Sequence, residues 1–237
     1  MKRASVIGVL VALVIGAGTW ASFASMGFRV YGGYSMLSPS DYNDYLETYL
    51  VDDYGGEIVT LNKLSSAIPF GADFRYETES GLIFSLGFTR FSGTAGFTWE
   101  DVLWAEEMER EDTITVMGGL GSVLYAVGSS SFRFYFGGGA GYYAATLEKT
   151  VPVEVMWWRD EFEYTAKKSQ LGFHGMGGFE YSLAENIALG VELLYRVLNI
   201  PEWTITEHDD PAMVDETWEQ EMDLSGINIL FGLNIYT

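Results

Sequence analysis

Eight ionisable side chains fall on the small or polar faces of segments in which apolar and polar residues alternate. Inside a barrel, such groups could line a narrow polar pore or pair as a structural network that plugs it. The set contains four arginines, one histidine and three carboxylates, and this near balance of charge favours the ion-paired network that plugs the barrel. The residues are Arg29, Asp73, Arg75, Arg133, His174, Glu180, Glu192 and Arg196.

Neither of the two histidines has the sequence neighbours that general-base catalysis requires. A histidine that activates a serine needs that serine within hydrogen-bond reach and a third group that orients the imidazole. His174 has only Ser169 nearby, five residues away and on the opposite face of a strand, and His208 has acidic neighbours but no clear nucleophile. Cysteine is absent, which removes thiolate nucleophiles and thiolate metal sites. The sequence therefore predicts no enzyme and no cofactor.

Four long segments, 38–66, 92–112, 146–168 and 199–222, hold 26 of the 33 acidic residues. The stretch HDDPAMVDETWEQEMD, which begins in the last of them and ends at Asp223, has carboxylates that could supply oxygen ligands to Ca²⁺ or Mg²⁺. The ordered DxDxDG loop is missing, so we predict solvated acidic loops and no metal site. A net charge of −20 disfavours nucleic acid as a partner.

Alternation with period two predicts eight β-strands. They lie at 26–37, 67–77, 82–91, 113–127, 131–145, 169–183, 186–198 and 223–237. Short turns and the four long acidic segments connect them in strict alternation. This order predicts an up-and-down antiparallel barrel, with both termini at the end that carries the short turns.

The long segments carry some structural signals of their own. The stretch SPSDYNDYLETYLVDDYGG predicts a short helix, and the alternation in VPVEVMWWRDEFEYTA predicts a hairpin that projects from the barrel. Six of the seven tryptophans also lie in the long segments. They could form an interfacial girdle, a small core among the loops, or contacts for a partner.

The two faces of the strands differ in bulk. The interior of an eight-stranded barrel is only just wide enough for side chains, so rows of large aromatics fit outside against lipid, and glycines and charges fit inside. A soluble, lipocalin-like barrel with the apolar rows inside is the alternative. The residues predicted to face lipid include Phe84, Phe132, Phe134, Phe136, Ile227, Ile229, Phe231, Leu233 and Ile235.

The N-terminus has the three parts of a secretory signal peptide. Lys2 and Arg3 precede an apolar run from Val6 to Ile15, and small residues follow up to Ala24. A permanent anchor is the alternative, but a run of about ten residues is short against the roughly 20 that a membrane span needs. We predict a signal peptide over 1–24 and a barrel domain over 25–237.

Together, the strand count, signal peptide, tight turns and long acidic loops resemble the small eight-stranded outer-membrane barrels of bacteria, the OmpA/OmpX/OmpW-like group. The resemblance implies an all-β, eight-stranded antiparallel up-and-down transmembrane β-barrel, exported to the bacterial outer membrane. Members usually end on an aromatic residue in phase with the lipid-facing row. Here Tyr236 is penultimate and out of phase with Ile235, which is a departure from that pattern.

For function, the resemblance implies a non-enzymatic structural or surface-interaction role with a largely plugged lumen. A narrow OmpW-like channel for small or hydrophobic molecules is the alternative, and a lipid-modifying enzyme is a weaker third. The expected partners are outer-membrane lipid and lipopolysaccharide, with divalent cations as bridges to the acidic loops, and the outer-membrane assembly machinery. The sequence identifies no extracellular partner.

Overall fold

A computed structural model describes residues 25–37, 39–53, 57–101, 106–129, 131–155, 158–208, 214 and 216–237. The predicted signal peptide, 1–24, lies outside the described residues. The strands in chain order are β1 (Ser25–Leu37), β2 (Glu57–Asn62), β3 (Ser66–Glu77), β4 (Leu82–Asp101), β5 (Glu106–Gly128), β6 (Phe132–Val155), β7 (Trp158–Ala184), β8 (Ile187–Val197), β9 (Asn199–Ile200), β10 (Trp203–His208), β11 (Thr217–Trp218), β12 (Met222–Asp223) and β13 (Gly226–Tyr236), with helix α1 (Ser40–Asp53) between β1 and β2.

Eight of these strands close into an antiparallel ring. Each pairs with the next in the order β1, β3, β4, β5, β6, β7, β8 and β13, and β13 pairs back to β1. This closing seam runs from Gly27↔Tyr236 to Leu37↔Gly226. The prediction of an eight-stranded antiparallel up-and-down barrel is confirmed.

The two ends of the ring differ. One end, here called the turn end, carries the short connections β3–β4, β5–β6 and β7–β8 together with Ser25 and Thr237. Gly81 and Gly128 adopt φ values of +84° and +138° in or beside these turns, in the region that favours glycine. The other end, the loop end, carries α1 and the remaining short strands.

At the loop end, β4 to β7 continue far past the ring as an extension, formed by residues 91–101, 106–116, 143–155 and 158–170. Pairing reaches Asp101↔Glu106 between β4 and β5 and Val155↔Trp158 between β6 and β7. The predicted hairpin in 151–166 is therefore confirmed. The prediction that 92–112 is a loop was wrong, because alternation continues there with apolar residues such as Ala95 and Phe97 on the inner face.

Shorter elements complete the extension. Strand β2 pairs with β4, β10 with β7, β11 with β10, and β12 with β9. Helix α1 confirms the predicted helix, and its Asn43 side chain bonds both the N–H and the C=O of Leu64 at 3.0 and 3.2 Å. No helix in the described ranges is long and apolar enough to cross a membrane.

Candidate functional site: the barrel lumen

Around the ring, large apolar side chains point outward. The structure exposes most of the residues predicted to face lipid and leaves Ile229 half-buried. Many of their neighbours along each strand point inward and are small, polar or charged, and others, such as Ile83, Tyr135 and Leu230, belong to a small buried cluster inside the ring. The exposed set comprises Phe84, Phe132, Phe134, Phe136, Ile227, Phe231, Leu233 and Ile235.

The eight predicted lumen residues all lie on the inner wall of the ring. Seven are at most 5% exposed, and Arg133 is partly exposed. Strand parity explains this placement, because residues two apart on a strand share a face. The structure joins six of the eight into one ion-pair network and leaves His174 and Arg196 outside it.

Arg75 is the centre of the network. Its Nε lies 2.9 Å from Asp73 Oδ1, Nη1 lies 2.8 Å from Glu180 Oε1, and Nη2 lies 3.4 Å from Glu192 Oε2. Arg29 bridges two of the same carboxylates, with Nη2 2.6 Å from Asp73 and Nη1 2.7 Å from Glu192. These charges cross the lumen from β1 and β3 to β7 and β8.

A second branch extends toward the turn end. Arg133 pairs with Glu180 at 2.6 Å and also with Glu77, and the Tyr236 hydroxyl donates to Glu180 Oε2 at 2.7 Å. An open cavity of about 380 Å³ at the turn end is lined in part by Glu77, Arg133 and Tyr236. The out-of-phase position of Tyr236 therefore turns its ring into the lumen.

Two members of this network, Glu77 and Tyr236, were missed from the sequence. A third, Tyr135, lies on the same inward-facing row as Arg133, and its hydroxyl donates to Glu192 Oε2 at 2.9 Å. Strand parity could have found the two that were missed. Glu77 is two residues from Arg75. Tyr236 is one residue from the outward Ile235.

His174 has a hydrogen-bond partner that its own sequence neighbourhood does not contain. Its Nε2 lies 2.8 Å from Ser122 Oγ, because both residues pair with Gly139 on the intervening β6 and no side chain stands between them. A serine and a histidine are two parts of a nucleophilic triad. Among the described residues, however, His174 Nδ1 has no hydrogen-bond partner, so no third group orients the ring.

Arg196 lies nearer the loop end. Its Nε and Nη2 both donate to the carbonyl oxygen of Leu224 at 3.2 Å, and its guanidinium lies 3.8 Å from the centroid of the Phe91 ring. No carboxylate of the described residues pairs with it.

An apolar cluster fills the interior of the extension. Tyr42 and Leu46 of α1 are fully buried in it, as are Leu64, Trp203 and Met222. Trp203 thus belongs to a core, one of the three roles open for the loop tryptophans. The extension and α1 together cover the loop end of the lumen with packed side chains.

One charged cluster lies inside this apolar interior. Arg110 Nη2 is 3.0 Å from Asp112 Oδ2, the Tyr42 hydroxyl bonds the same carboxylate, and Lys149 Nζ is 3.9 Å away. Burial lowers the pKa of Lys149 to about 7, and Asp112 only partly offsets this. Helix α1 is therefore tied to β5 through a buried carboxylate.

Within the described residues, no group of three or more histidine, aspartate or glutamate side chains is arranged to hold a metal ion. Several residues of the acidic stretch 208–223 lie outside the described residues.

A closed antiparallel ring with an apolar exterior and a charged interior defines a transmembrane β-barrel, in which lipid replaces water around the apolar belt. The chain belongs to the family described as the outer membrane protein beta-barrel domain, whose model matches residues 7–234. The bacterial outer membrane is the location that this membership implies.

Solved structures of similar fold include the Neisserial surface protein A, which is 11% identical to this chain. The alignment covers 90% of this chain and 99% of the Neisserial one, with a TM-score of 0.48. A major outer membrane protein from Thermus thermophilus is 12% identical, with coverages of 91% and 100% and a TM-score of 0.49. Outer membrane protein W of E. coli is 13% identical, with coverages of 88% and 96% and a TM-score of 0.33. No curated protein sequence matches the chain.

Proposed function

We propose that this protein is a non-enzymatic outer-membrane barrel with a plugged polar lumen, which serves a structural or surface-interaction role. The ion-pair network carries the proposal. Six predicted lumen residues, together with Tyr135 and Tyr236, connect strands on opposite walls of the ring by contacts of 2.6 to 3.4 Å, and Glu77 joins them through Arg133. A network that spans the lumen in this way leaves little room for a conducting path.

A second barrier supports the same proposal. The apolar cluster of the extension, with Tyr42 and Leu46 of α1, lies above the network in the direction of the loop end. An ion that passed the network would then have to cross an apolar region, where its desolvation is strongly unfavourable. Two barriers of different chemistry therefore lie in series.

The proposed orientation puts the turn end in the periplasm and the loop end outside the cell, as in barrels with short periplasmic turns. Exposed carboxylates at the loop end include Glu47, Glu111, Glu148, Glu163 and Glu207. We propose that they carry the surface role, with divalent cations as bridges to lipopolysaccharide phosphates. The outward row from Ile227 to Ile235 is proposed as the segment that the assembly machinery reads.

Planar-bilayer recording tests the plug. The purified, refolded protein should show no stable openings, and a porin reconstituted in the same bilayers provides the positive control. The double variant Arg75→Ala/Glu180→Ala, which removes the centre of the network, should show more frequent current fluctuations. Stable openings in the wild type would contradict the plug and favour the narrow channel for small or hydrophobic molecules.

The non-enzymatic part has its own test. Lipid A from cells that express the wild-type protein should have the same mass spectrum as lipid A from cells that express His174→Ala. A mass difference between the two would point to a lipid-modifying enzyme.

A further inference from the structure

The outer face of β4 to β7 changes from apolar to polar over three neighbouring rows of paired residues, which follow one another from the ring toward the extension. The first row is apolar or aromatic, the second contains an arginine, and the third contains hydroxyl groups and a lysine. In a membrane barrel, such a change marks the depth at which hydrocarbon gives way to lipid headgroups. The rows are Phe88, Gly119, Tyr142 and Leu171; Arg90, Met117, Ala144 and Ser169; and Ser92, Thr115, Thr146 and Lys167.

Arg90, in the middle row, is an outward-facing arginine at the edge of the apolar belt. Phe88, two residues before it, is exposed, and the adjacent Phe91 is buried inside. Arg90 is half-buried; in the part of the chain that the structure describes it forms no ion pair, and its Nε has no hydrogen-bond partner. The ring of Phe70, in register on β3, lies 5.8 Å from the guanidinium carbon. This ring attracts the guanidinium to the rim of the belt but does not neutralise its charge.

The other charges on this face do not neutralise Arg90 either. Lys167, one row nearer the loop end on β7, has a long and exposed pair with Glu207 at 3.8 Å. Glu148 lies four residues beyond Ala144 on β6, about 13 Å along an extended strand. From the apolar belt toward the loop end, the described parts of β4 to β7 therefore present two cations before their first outward carboxylate.

Two glycines on β5 open a groove beside Arg90. Gly119 and Gly121 face outward in the next two rows toward the turn end, and a side-chain carbon at either position would meet nothing within 4 Å. Larger side chains flank the groove, with Phe88 on β4 and Tyr142 on β6, two strands that are about 10 Å apart. The groove begins at the row of the guanidinium and continues into the apolar belt, a shape that fits one acyl chain.

A lipid phosphate suits this position better than an anion dissolved in water. A guanidinium binds phosphate through two parallel charge-assisted hydrogen bonds, and these are stronger where water is scarce. The net charge of −20, concentrated in the long acidic segments, repels dissolved anions. A phosphate that acyl chains hold at the depth of the headgroups meets Arg90 without crossing that field.

We propose that Arg90 binds a phosphate of a lipid headgroup in the outer leaflet, with one acyl chain of that lipid in the groove over Gly119 and Gly121. Lys167 is a second cation at headgroup depth, three strands away. The assignment to the outer leaflet rests on the proposed function, in which the loop end faces outward. The contact differs from bridging by divalent cations, because here the phosphate meets a cation of the protein directly.

Native mass spectrometry of the refolded protein, in detergent with EDTA to remove divalent bridges, tests the contact. The probes are phosphatidic acid, whose headgroup is a bare phosphate, and phosphatidylcholine with the same acyl chains. The wild type should retain one molecule of phosphatidic acid in preference to phosphatidylcholine. Arg90→Gln should weaken this retention about tenfold, the loss expected for hydrogen bonds to a charged group. Lys63→Gln is the control: it removes an exposed lysine paired with Glu47 and should retain phosphatidic acid like the wild type.

A second pair of variants tests the groove without changing any charge. Gly121→Leu fills the groove and should weaken retention of phosphatidic acid severalfold. Gly177→Leu is the matched control, because Gly177 faces outward on β7, away from Arg90, and a side-chain carbon there would make only ordinary contacts of 3.7 and 4.0 Å. It should leave the retention unchanged. Both variants keep Arg90, so they test the proposal if Arg90→Gln does not fold.

Three results would overturn the proposal. The first is wild-type retention in Arg90→Gln or in Gly121→Leu. The second is equal retention of the two lipids by the wild type, which would identify ordinary solvation of the belt. The third is displacement of phosphatidic acid by an equal concentration of inorganic phosphate, which would identify a site for dissolved anions. Failure of the proposed function is distinguishable, because bilayer recording reports on the lumen and protease cleavage of the loop end in intact cells reports on the orientation.

Discussion

The ring and the extension are built by the same strands yet have opposite polarity. On β6 in the ring, Phe134 points outward and Arg133 points inward; further along the same strand, Glu148 points outward and Leu147 is buried inside. The parity of the strand does not change between them. What changes is the medium outside, from lipid around the ring to water around the extension.

This difference shows which force holds each region. In lipid, apolar side chains gain little by moving inside, and the inner wall is free to hold charges that satisfy one another. In water, burying apolar surface stabilises by about 25 cal/mol per Å². Ion pairs therefore dominate the interior of the ring, beside a small apolar cluster that includes Ile83, Leu124 and Leu230, and hydrophobic packing dominates the interior of the extension, around one buried charged cluster.

The largest change in stability is expected when the centre of the ion-pair network in the ring is removed. Arg75→Met leaves three buried carboxylates without their shared cation, and we expect a loss of about 3–5 kcal/mol in the free energy of unfolding. Lys63→Met is the control in the loop-end region: Lys63 pairs with Glu47 at 2.7 Å, but both side chains are about half exposed, so water screens the pair and the loss should be much smaller than for Arg75→Met. Denaturant unfolding in lipid vesicles measures both. Equal losses would mean that the network does not organise the ring.

The next largest change in stability is expected when an arginine is placed on the outer face, where lipid surrounds the ring and water surrounds the extension. Phe136→Arg puts a charge on the lipid face near the middle of the apolar belt and should cost about 2–4 kcal/mol. Glu148→Arg puts the same side chain on the same face of β6 in the extension, where water solvates it, and should change stability by less than about 0.5 kcal/mol. The free energies of unfolding of both variants are measured by denaturant titration in vesicles of the same lipid. A large cost for Glu148→Arg would contradict a water-exposed extension.

The smallest effect is a pH dependence of the extension. Burial lowers the pKa of Lys149 from 10.5 to about 7, so between these values the unfolded chain binds more protons than the folded one. Stability should therefore rise as the pH increases from 7 toward 10, by up to about 1 kcal/mol per pH unit. Urea unfolding at pH 7 and pH 9, followed by near-UV circular dichroism, measures this rise. Lys149→Met should reduce it, and an unchanged rise in that variant would assign the effect to another group.

Period-two alternation was enough to predict the strand number, and together with the signal peptide, tight turns and acidic loops it indicated the family. It did not by itself tell the outer face from the inner face on every strand: on β5 the alternating apolar residues Ile114, Val116 and Leu124 are buried inside. It failed over 92–112 because the density of acidic residues there is typical of a loop. Glu111 lies on the outer face of β5, while Ile114 and Val116 are buried inside, and this reversal of polarity is the signal that was not used.

Which lumen side chains contact one another depends on the pairing register of the strands, and the sequence alone does not determine that register. Ser122 and His174 are 52 residues apart, and they meet because Gly139 pairs with both. The two contacts of Arg75 with Glu180 and Glu192 likewise join residues more than 100 positions apart. Parity could predict which side chains face the lumen, but it could not predict which of them touch.

The sequence separation within the network has a consequence for the order of folding. Arg29 and Glu192 are 163 residues apart, and Arg75 and Glu180 are 105 apart, whereas β4–β5 and β6–β7 are simple hairpins of the extension and ring. Contacts between distant residues form late, because long loops must close first. The hairpins can therefore assemble early, and with them the ion pairs between neighbouring strands, such as Arg133 with Glu180. The contacts that cross the lumen, Arg29 with Glu192 and Arg75 with Glu180, form only when β13 meets β1. Closure of the seam is then the step at which the barrel commits to its native state.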